Sequence, residues 1–262
     1  MSGAGSLIIK RNTIKGNTAS EGGGVWLVNN SNTLFVQNLI TGNQAAAGGG
    51  IYWIAADSQG SILVNNTIAN NDATDGSGVF ANGFGVRTEL TNNIIVAKPG
   101  RSALHCGPFV TEQPIIRFSN IFSAGGMAYG GNCSDMTGRD GNISADPLFT
   151  NPAQGDYHLQ QGSPSIDAGD NQAPNLPDTD IDGDHRILDG DGNGTEIIDM
   201  GVDEFLAPPS FGISLQLDRR SRMKPEPHVR FCEGVGVKFP RATRLFVGRI
   251  TAGYQFTSKA IK

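Results

Sequence analysis

The densest chemistry in this 262-residue chain is an acidic run between Asp178 and Asp199. Asp178, Asp180, Asp182 and Asp184 stand at alternate positions with Gly183 at the turn, the way a calcium loop presents its oxygen donors. Asp189, Asp191 and Asn193 repeat the alternation around Gly190 and Gly192. Carboxylates crowded this closely repel one another unless a cation neutralises them. The pattern predicts structural Ca²⁺ held by these residues. Neither run is flanked by a helical pattern, so this is not an EF-hand pair. The expected role of the ion is to close the end of the fold, not to catalyse.

A second constellation appears once the chain is aligned on its asparagines. Asn12, Asn38, Asn66, Asn93 and Asn120 follow one another at nearly equal intervals, each with an apolar residue two positions later. A period of this length means stacked supersecondary units. Stacking puts Glu21, Ala47 and Asp75 in one column, with Asp72 in the same loop and Lys98 and Arg101 on the next turn. Glu21 and Asp75, two turns apart, are expected roughly 9–10 Å from each other. That is near the upper separation for an inverting pair, in which one carboxylic acid protonates the leaving oxygen and the other carboxylate activates water. Glu21, Asp72, Asp75 and Arg101 are therefore the candidate catalytic residues for cleaving a glycosidic bond. Elimination would instead need Lys98, Arg101 or His105 as base. His105 and His158 otherwise read as structural. Trp26, Tyr52 and Phe80 form an adjacent column with the spacing of the asparagines. With the aliphatic Val25, Ile51 and Val79 directed inward, these rings face out as a stacking platform for sugars; in the opposite register they form a buried aromatic stack.

The elements that must position these side chains are short strands. Leu7-Ile8-Ile9, Leu34-Phe35-Val36, Ile62-Leu63-Val64, Glu89-Leu90-Thr91 and Ile115-Ile116-Arg117-Phe118 open successive units. A closing strand follows each glycine cluster, as in Gly22-Gly23-Gly24-Val25-Trp26, Gly48-Gly49-Gly50-Ile51-Tyr52 and Gly76-Ser77-Gly78-Val79-Phe80. Three strands in about 27 residues predict an all-β parallel β-helix solenoid, with turns stacked at roughly 4.8 Å. The regular leucine spacing of a leucine-rich repeat is missing. Identical asparagines on neighbouring turns would form an inward ladder that satisfies the amides of the bends. Cys106 and Cys133 stand one turn apart, which suits a disulfide. Such a bridge implies an oxidising compartment.

Composition limits the remaining choices. No stretch of 18 apolar residues exists, so no membrane-spanning helix is expected. Leu7-Ile8-Ile9 reads as repeat strand without a polar cap before it, so further turns are expected upstream in a longer natural protein, and with them the export signal. Residues 208–262 carry 11 basic and 3 acidic groups, against 9 and 22 in residues 1–207. This contrast marks a boundary near Pro208-Pro209. The basic tail lacks periodicity and aromatic interleaving, so it reads as foreign or poorly ordered sequence and not as a nucleic-acid module.

The cadence Asn12-Thr13-Ile14-Lys15-Gly16-Asn17 followed by Gly22-Gly23-Gly24-Val25 resembles the right-handed parallel β-helix repeats of pectate-lyase-like and polymorphic outer-membrane proteins. Asp146-Pro147-Leu148-Phe149, Gly155-Asp156-Tyr157-His158-Leu159, Ser163-Pro164-Ser165-Ile166-Asp167-Ala168-Gly169 and Asp199-Met200-Gly201-Val202-Asp203-Glu204-Phe205 are similar to the closing segment of bacterial secreted β-helix proteins with a "choice-of-anchor" domain. The resemblance implies a right-handed solenoid over residues 1–145 and a closing segment over 146–206, and the composition shift leaves a separate tail over 207–262. It further implies an extracellular or cell-surface protein, while the carboxylate and aromatic columns suggest a polysaccharide or oligosaccharide as partner. The expected activity is hydrolytic cleavage of that glycan, and the alternative is a non-catalytic adhesion or anchoring module.

Overall fold

The computed structural model describes residues 7–28, 32–54, 60–83, 87–110, 112–207, 247–251 and 255–259. The first turn comprises β1 (Ile8–Lys10), β2 (Thr13–Lys15) and β3 (Val25–Val28), and the second β4 (Leu34–Val36), β5 (Leu39–Thr41) and β6 (Ile51–Ile54). The third holds β7 (Ile62–Val64), β8 (Thr67–Ala69) and β9 (Val79–Ala81). β10 (Glu89–Thr91), β11 (Ile94–Val96) and β12 (Leu104–Cys106) form the fourth, and β13 (Ile115–Arg117), β14 (Asn120–Phe122) and β15 (Tyr129–Gly131) the fifth. First strands pair only with first strands, second with second and third with third, giving three parallel five-stranded sheets. In the first sheet Ile8 pairs with Leu34, Leu34 with Ile62, Ile62 with Glu89 and Glu89 with Ile115. The chain is an all-β parallel solenoid, as its repeat predicts.

Alternation along strands of three residues leaves one side chain per strand for the interior of the first two sheets. Phe35, Leu63, Leu90 and Ile116 fill it from the first sheet, and Ile40, Ile68, Ile95 and Ile121 from the second. The third sheet contributes Ile51, Val79 and Leu104, so the aliphatic column does point inward. Trp53 is fully buried beside them.

Among the described residues, the turns change direction with left-handed backbone at recurrent places. Arg11, Gln37, Asn65, Asn92 and Phe118 form one column of positive φ, between 44° and 57°. Side chains other than glycine adopt this region at a cost of about 1–2 kcal/mol. Gly22, Gly48 and Gly76 form another such column, and here glycine is required. A Cβ on Gly22 would sit 2.5 Å from the Val25 carbonyl oxygen.

The bend takes the amide of the next residue out of the strand ladder, and the asparagines answer it. The amides of Asn12, Asn38 and Asn66 donate to the Oδ1 of Asn38, Asn66 and Asn93 on the following turn, at 2.9–3.0 Å. Asn66 Nδ2 in turn donates to the carbonyls of Phe35 and Val64 at 3.1 Å and to Asn93 Oδ1 at 3.0 Å. A shorter ladder of Asn17, Asn43 and Asn71 serves the next corner in the same way. The fifth position of the long ladder is Ser119, not Asn120. Ser119 Oγ accepts the Asn93 amide at 3.1 Å, and Asn142 Oδ1 then accepts the Ser119 amide at 3.0 Å. The step from the fourth turn to the fifth is one residue shorter than the asparagine spacing there, so Asn120 falls one position later, inside β14 and opposite Ile94. Its side chain turns to Ser165.

Cys106 and Cys133 are disulfide-bonded with Cα atoms 4.9 Å apart, although the strand partner of Cys106 is Gly131.

Residues 146–206 do not cap an end of the solenoid. They carry the hairpins β16 (Phe149–Asn151) with β17 (Asp156–Leu159) and β18 (Ile187–Leu188) with β19 (Ile197–Ile198). They run as a strap along the flank, over every turn. Arg11 donates to Thr179 Oγ1 and to the Asp180 carbonyl, and Thr41 hydrogen-bonds Tyr157. Asn65 Nδ2 donates to the carbonyls of Asp199 and Gly201, and Asn92 Nδ2 to that of Asp170. Ile94, Leu159 and Met200 form a second small core beneath it. Left-handed Asn65 and Asn92 thus hold the strap from outside the same corners whose inner amides the ladder serves.

In the second compact unit of the chain, Phe211–Lys262, β20 (Val247–Thr251) and β21 (Gln255–Lys259) pair antiparallel. Cys232 lies outside the described residues, as does the weak strand expected over 235–240.

Replacing Asn66 by Ala would leave the Asn38 amide buried without an acceptor, at about 1–3 kcal/mol, while the Val64 carbonyl keeps the Gln37 amide as donor. Asn66→Ala is expected to lower unfolding free energy by about 1–3 kcal/mol in urea titration. Asn12→Ala, at an exposed position of the first turn, is expected to cost under about 1 kcal/mol.

Candidate functional site

The outward face of the third sheet brings the predicted carboxylates and rings together. Glu21 and Asp75 each bridge Ala47, so the three residues do share one column. Both acidic side chains are exposed. Trp26 pairs with Tyr52, Tyr52 with Phe80 and Phe80 with His105 in the strand register. The Tyr52 and Phe80 rings stack with centroids 5.1 Å apart, and Phe80 and His105 at 5.4 Å. The column therefore faces outward as expected, but its rings cover one another. Tyr52 and Phe80 are only 6% and 9% exposed, and Trp26 alone is open, at 58%. His105 belongs to this stack and not to the core, a continuation the three-ring spacing did not reveal.

Two contacts tie the carboxylate column to the rings. Burial, together with the adjacent Glu21 carboxylate that accepts from its hydroxyl, pushes the Tyr52 phenol above its usual range. Asp75 Oδ1 lies 3.8 Å from His105 Nδ1, and the same nitrogen is 3.2 Å from Ser102 Oγ. Asp72 is held by Lys98 at 3.0 Å. Arg101 is exposed, and its guanidinium makes no hydrogen bond or ion pair among the described residues. The described residues thus place Glu21 and Asp75 beside the aromatic stack, with Asp72 engaged by a neighbouring cation.

The acidic run lies elsewhere, in the strap, and it is divided. Asp180 is buried, and its Oδ1 accepts the amides of Asp182, Gly183 and Asp184 at 2.8–2.9 Å while Oδ2 accepts the Glu204 amide. Asp178 and Asp184 remain exposed and join neither cluster of convergent donors. Asp182 turns to His158 and Asp203. Asp189 and Asp191 converge with Asp167, which the spacing of the run could not show. Asn193 braces that group, donating from Nδ2 to Asp191 Oδ2 at 2.9 Å. Burial and the Asp191 charge raise the Asp167 carboxyl.

Beneath these loops is a buried ionic core. Arg186 is 1% exposed and donates from Nη2 to the carbonyls of Asp199 and Gly201 at 2.9 and 3.0 Å. Its Nε lies 3.6 Å from Glu204 Oε2, beyond hydrogen-bonding distance. Asp199, Glu204, Asp180 and Asp203 all surround this one cation. Burial raises Asp199 to about 7 and Glu204 to about 9, against the partial relief that Arg186 supplies.

Among the described residues no helix is long and apolar enough to cross a membrane. Residues 1–137 match the family model described as "Right handed beta helix region". No curated protein and no solved structure matches the chain.

The sign of the pH dependence follows from the raised carboxyls. Asp199 and Glu204 bind protons more readily folded than unfolded, where their values are 3.8 and 4.5. The stability they contribute is fully present below those values and is lost as pH rises through about 7 and about 9. In metal-free buffer, the melting temperature is expected to fall steadily from pH 6 to pH 9. A melting temperature that is level or rises over that interval would contradict the buried ionic core.

Proposed function

The chain belongs to the right-handed β-helix family, and from that premise we propose that it binds a polysaccharide or oligosaccharide on the outward face of the third sheet and hydrolyses it there. The family includes pectate-lyase-like and glycosidase-like members as well as members without catalysis, so the proposal rests on this face and not on the fold. The observation that carries it is the exposed Trp26 ring at the head of an aromatic column, beside a column that holds Glu21 and Asp75. An open indole beside paired carboxylates suits stacking of a sugar ring next to an acid and a base. Two turns of roughly 4.8 Å place the pair at about the upper limit of the inverting separation. One of the two protonates the leaving oxygen and the other activates water. Asp72, held by Lys98, supports the loop, and Arg101 offers a cation to an anionic substituent.

A non-catalytic adhesion or anchoring module is the second reading, favoured by the near-complete coverage of Tyr52 and Phe80. An extracellular or cell-surface location fits either reading, and the disulfide supports it.

Release of reducing sugars and of unsaturated products across a glycan panel tests the proposal. Glu21→Gln and Asp75→Asn are each expected to lower hydrolysis at least about 100-fold, while Trp26→Ala weakens binding about tenfold. Hydrolysis untouched by both carboxylate changes would remove the pair. Binding without release from any glycan would establish the second reading.

Structural Ca²⁺ at Asp167, Asp189 and Asp191 belongs to this proposal, because their oxygens lie within 4.8 Å of one another. Chelation is expected to lower the melting temperature and added Ca²⁺ to restore it, with no such shift in Asp191→Asn.

A further inference from the structure

The strap holds a second group of donors of different chemistry, and we propose that His158, Asp182 and Asp203 form a divalent transition-metal site with an open coordination face. His158 Nε2 lies 2.7 Å from Asp182 Oδ2 and 4.0 Å from Asp203 Oδ1, and all three atoms are within 4.8 Å of one another. The opposite ring nitrogen, Nδ1, is 2.5 Å from Asp156 Oδ1. Asp156 thereby fixes the ring with Nδ1 as its donor and aims Nε2 at the two carboxylates. An outer carboxylate that orients a histidine in this way is the usual companion of a metal-bound imidazole.

Asp203 supplies an independent indication. Its side chain is 8% exposed, and Oδ2 accepts the Leu159 amide at 2.8 Å. Oδ1 receives no hydrogen bond among the described residues and faces the His158 nitrogen. On a carboxylate fixed through its other oxygen, an oxygen that no protein donor occupies is free to accept a cation. All three residues line one cavity of about 220 Å³, whose other walls include Thr13, Leu39 and Tyr157. That space leaves room for water or a ligand atom to complete the coordination.

The donor set also selects the metal. Ca²⁺ and Mg²⁺ take oxygen ligands, Ca²⁺ six to eight of them. One imidazole nitrogen with two carboxylate oxygens suits Zn²⁺, Co²⁺ or Mn²⁺, with further positions open. Asp182 therefore serves a different ion from the one its acidic run suggests. Its fellow ligands His158 and Asp203 stand well outside that run, one before it and one after it along the chain.

The test uses the full chain, stripped with EDTA and dialysed, then titrated with Co²⁺ by visible absorption and with Zn²⁺ by calorimetry. One equivalent of each is expected to bind, with Co²⁺ showing d–d bands that Zn²⁺ abolishes. His158→Gln and Asp203→Asn are each expected to weaken binding at least about tenfold, as is Asp156→Asn. Asp191→Asn should leave it unchanged. His158 is half exposed, so its replacement keeps the fold, and circular dichroism checks the Asp203 variant. The proposal is overturned by the absence of saturable Co²⁺ or Zn²⁺ binding, by binding unchanged in His158→Gln, or by equimolar Ca²⁺ displacing Co²⁺.

Discussion

The amides that follow the left-handed bends at Gln37, Gly42 and Asn65 find no main-chain acceptor, and this structure meets that need with a side chain borrowed from the next turn. The asparagine carbonyl substitutes for the missing main-chain acceptor, and its amide group returns a donor to the turn before. In a water-free interior the alternative is an orphaned polar group at each of these bends. The ladder thus fixes how far each turn advances. That advance in turn sets which residues become neighbours: the disulfide pair, the Glu21–Ala47–Asp75 column and the stacked rings all follow from it.

The outside of the same corners does a second job. Asn65 and Asn92 accept the strain of positive φ and point their amides outward, into the carbonyls of the strap. The strap can therefore be polar and acidic yet lie flat on a β-solenoid, because its main chain finds fixed donors there. Its own interior is held less by apolar area than by Arg186 and the acids around it. A lone buried cation among four carboxylates is a poor source of stability, since desolvation opposes the Coulomb attraction.

Much of this was legible in the sequence because the repeat is one-dimensional: residues one period apart must touch. Asn12 through Asn93, the aliphatic column and Cys106 with Cys133 needed only counting. Counting failed where the period changed. The last register step is one residue short, so Ser119 took the ladder position and Asn120 was released to the strap. The strap itself has no period, and its contacts join residues far apart in the chain, as Arg11 with Asp180 or His158 with Asp182. Alternating aspartates suggest one continuous donor set, whereas the fold divides the run. Asp180 is consumed by the amides of its own turn, and only folding brings Asp167 or His158 to its neighbours. Ring burial was equally hidden, because spacing shows that aromatics stack but not that stacking covers them.

Amide hydrogen exchange in the native protein tests the central claim most directly. The backbone amides of Asn38, Asn43 and Asn66, each bonded to an asparagine side chain and to no strand partner, are predicted to exchange as slowly as the strand amides of Leu63 and Ile68. Exchange at the rate of an exposed corner would contradict it, and would mean that the register is set by the strands without the ladder.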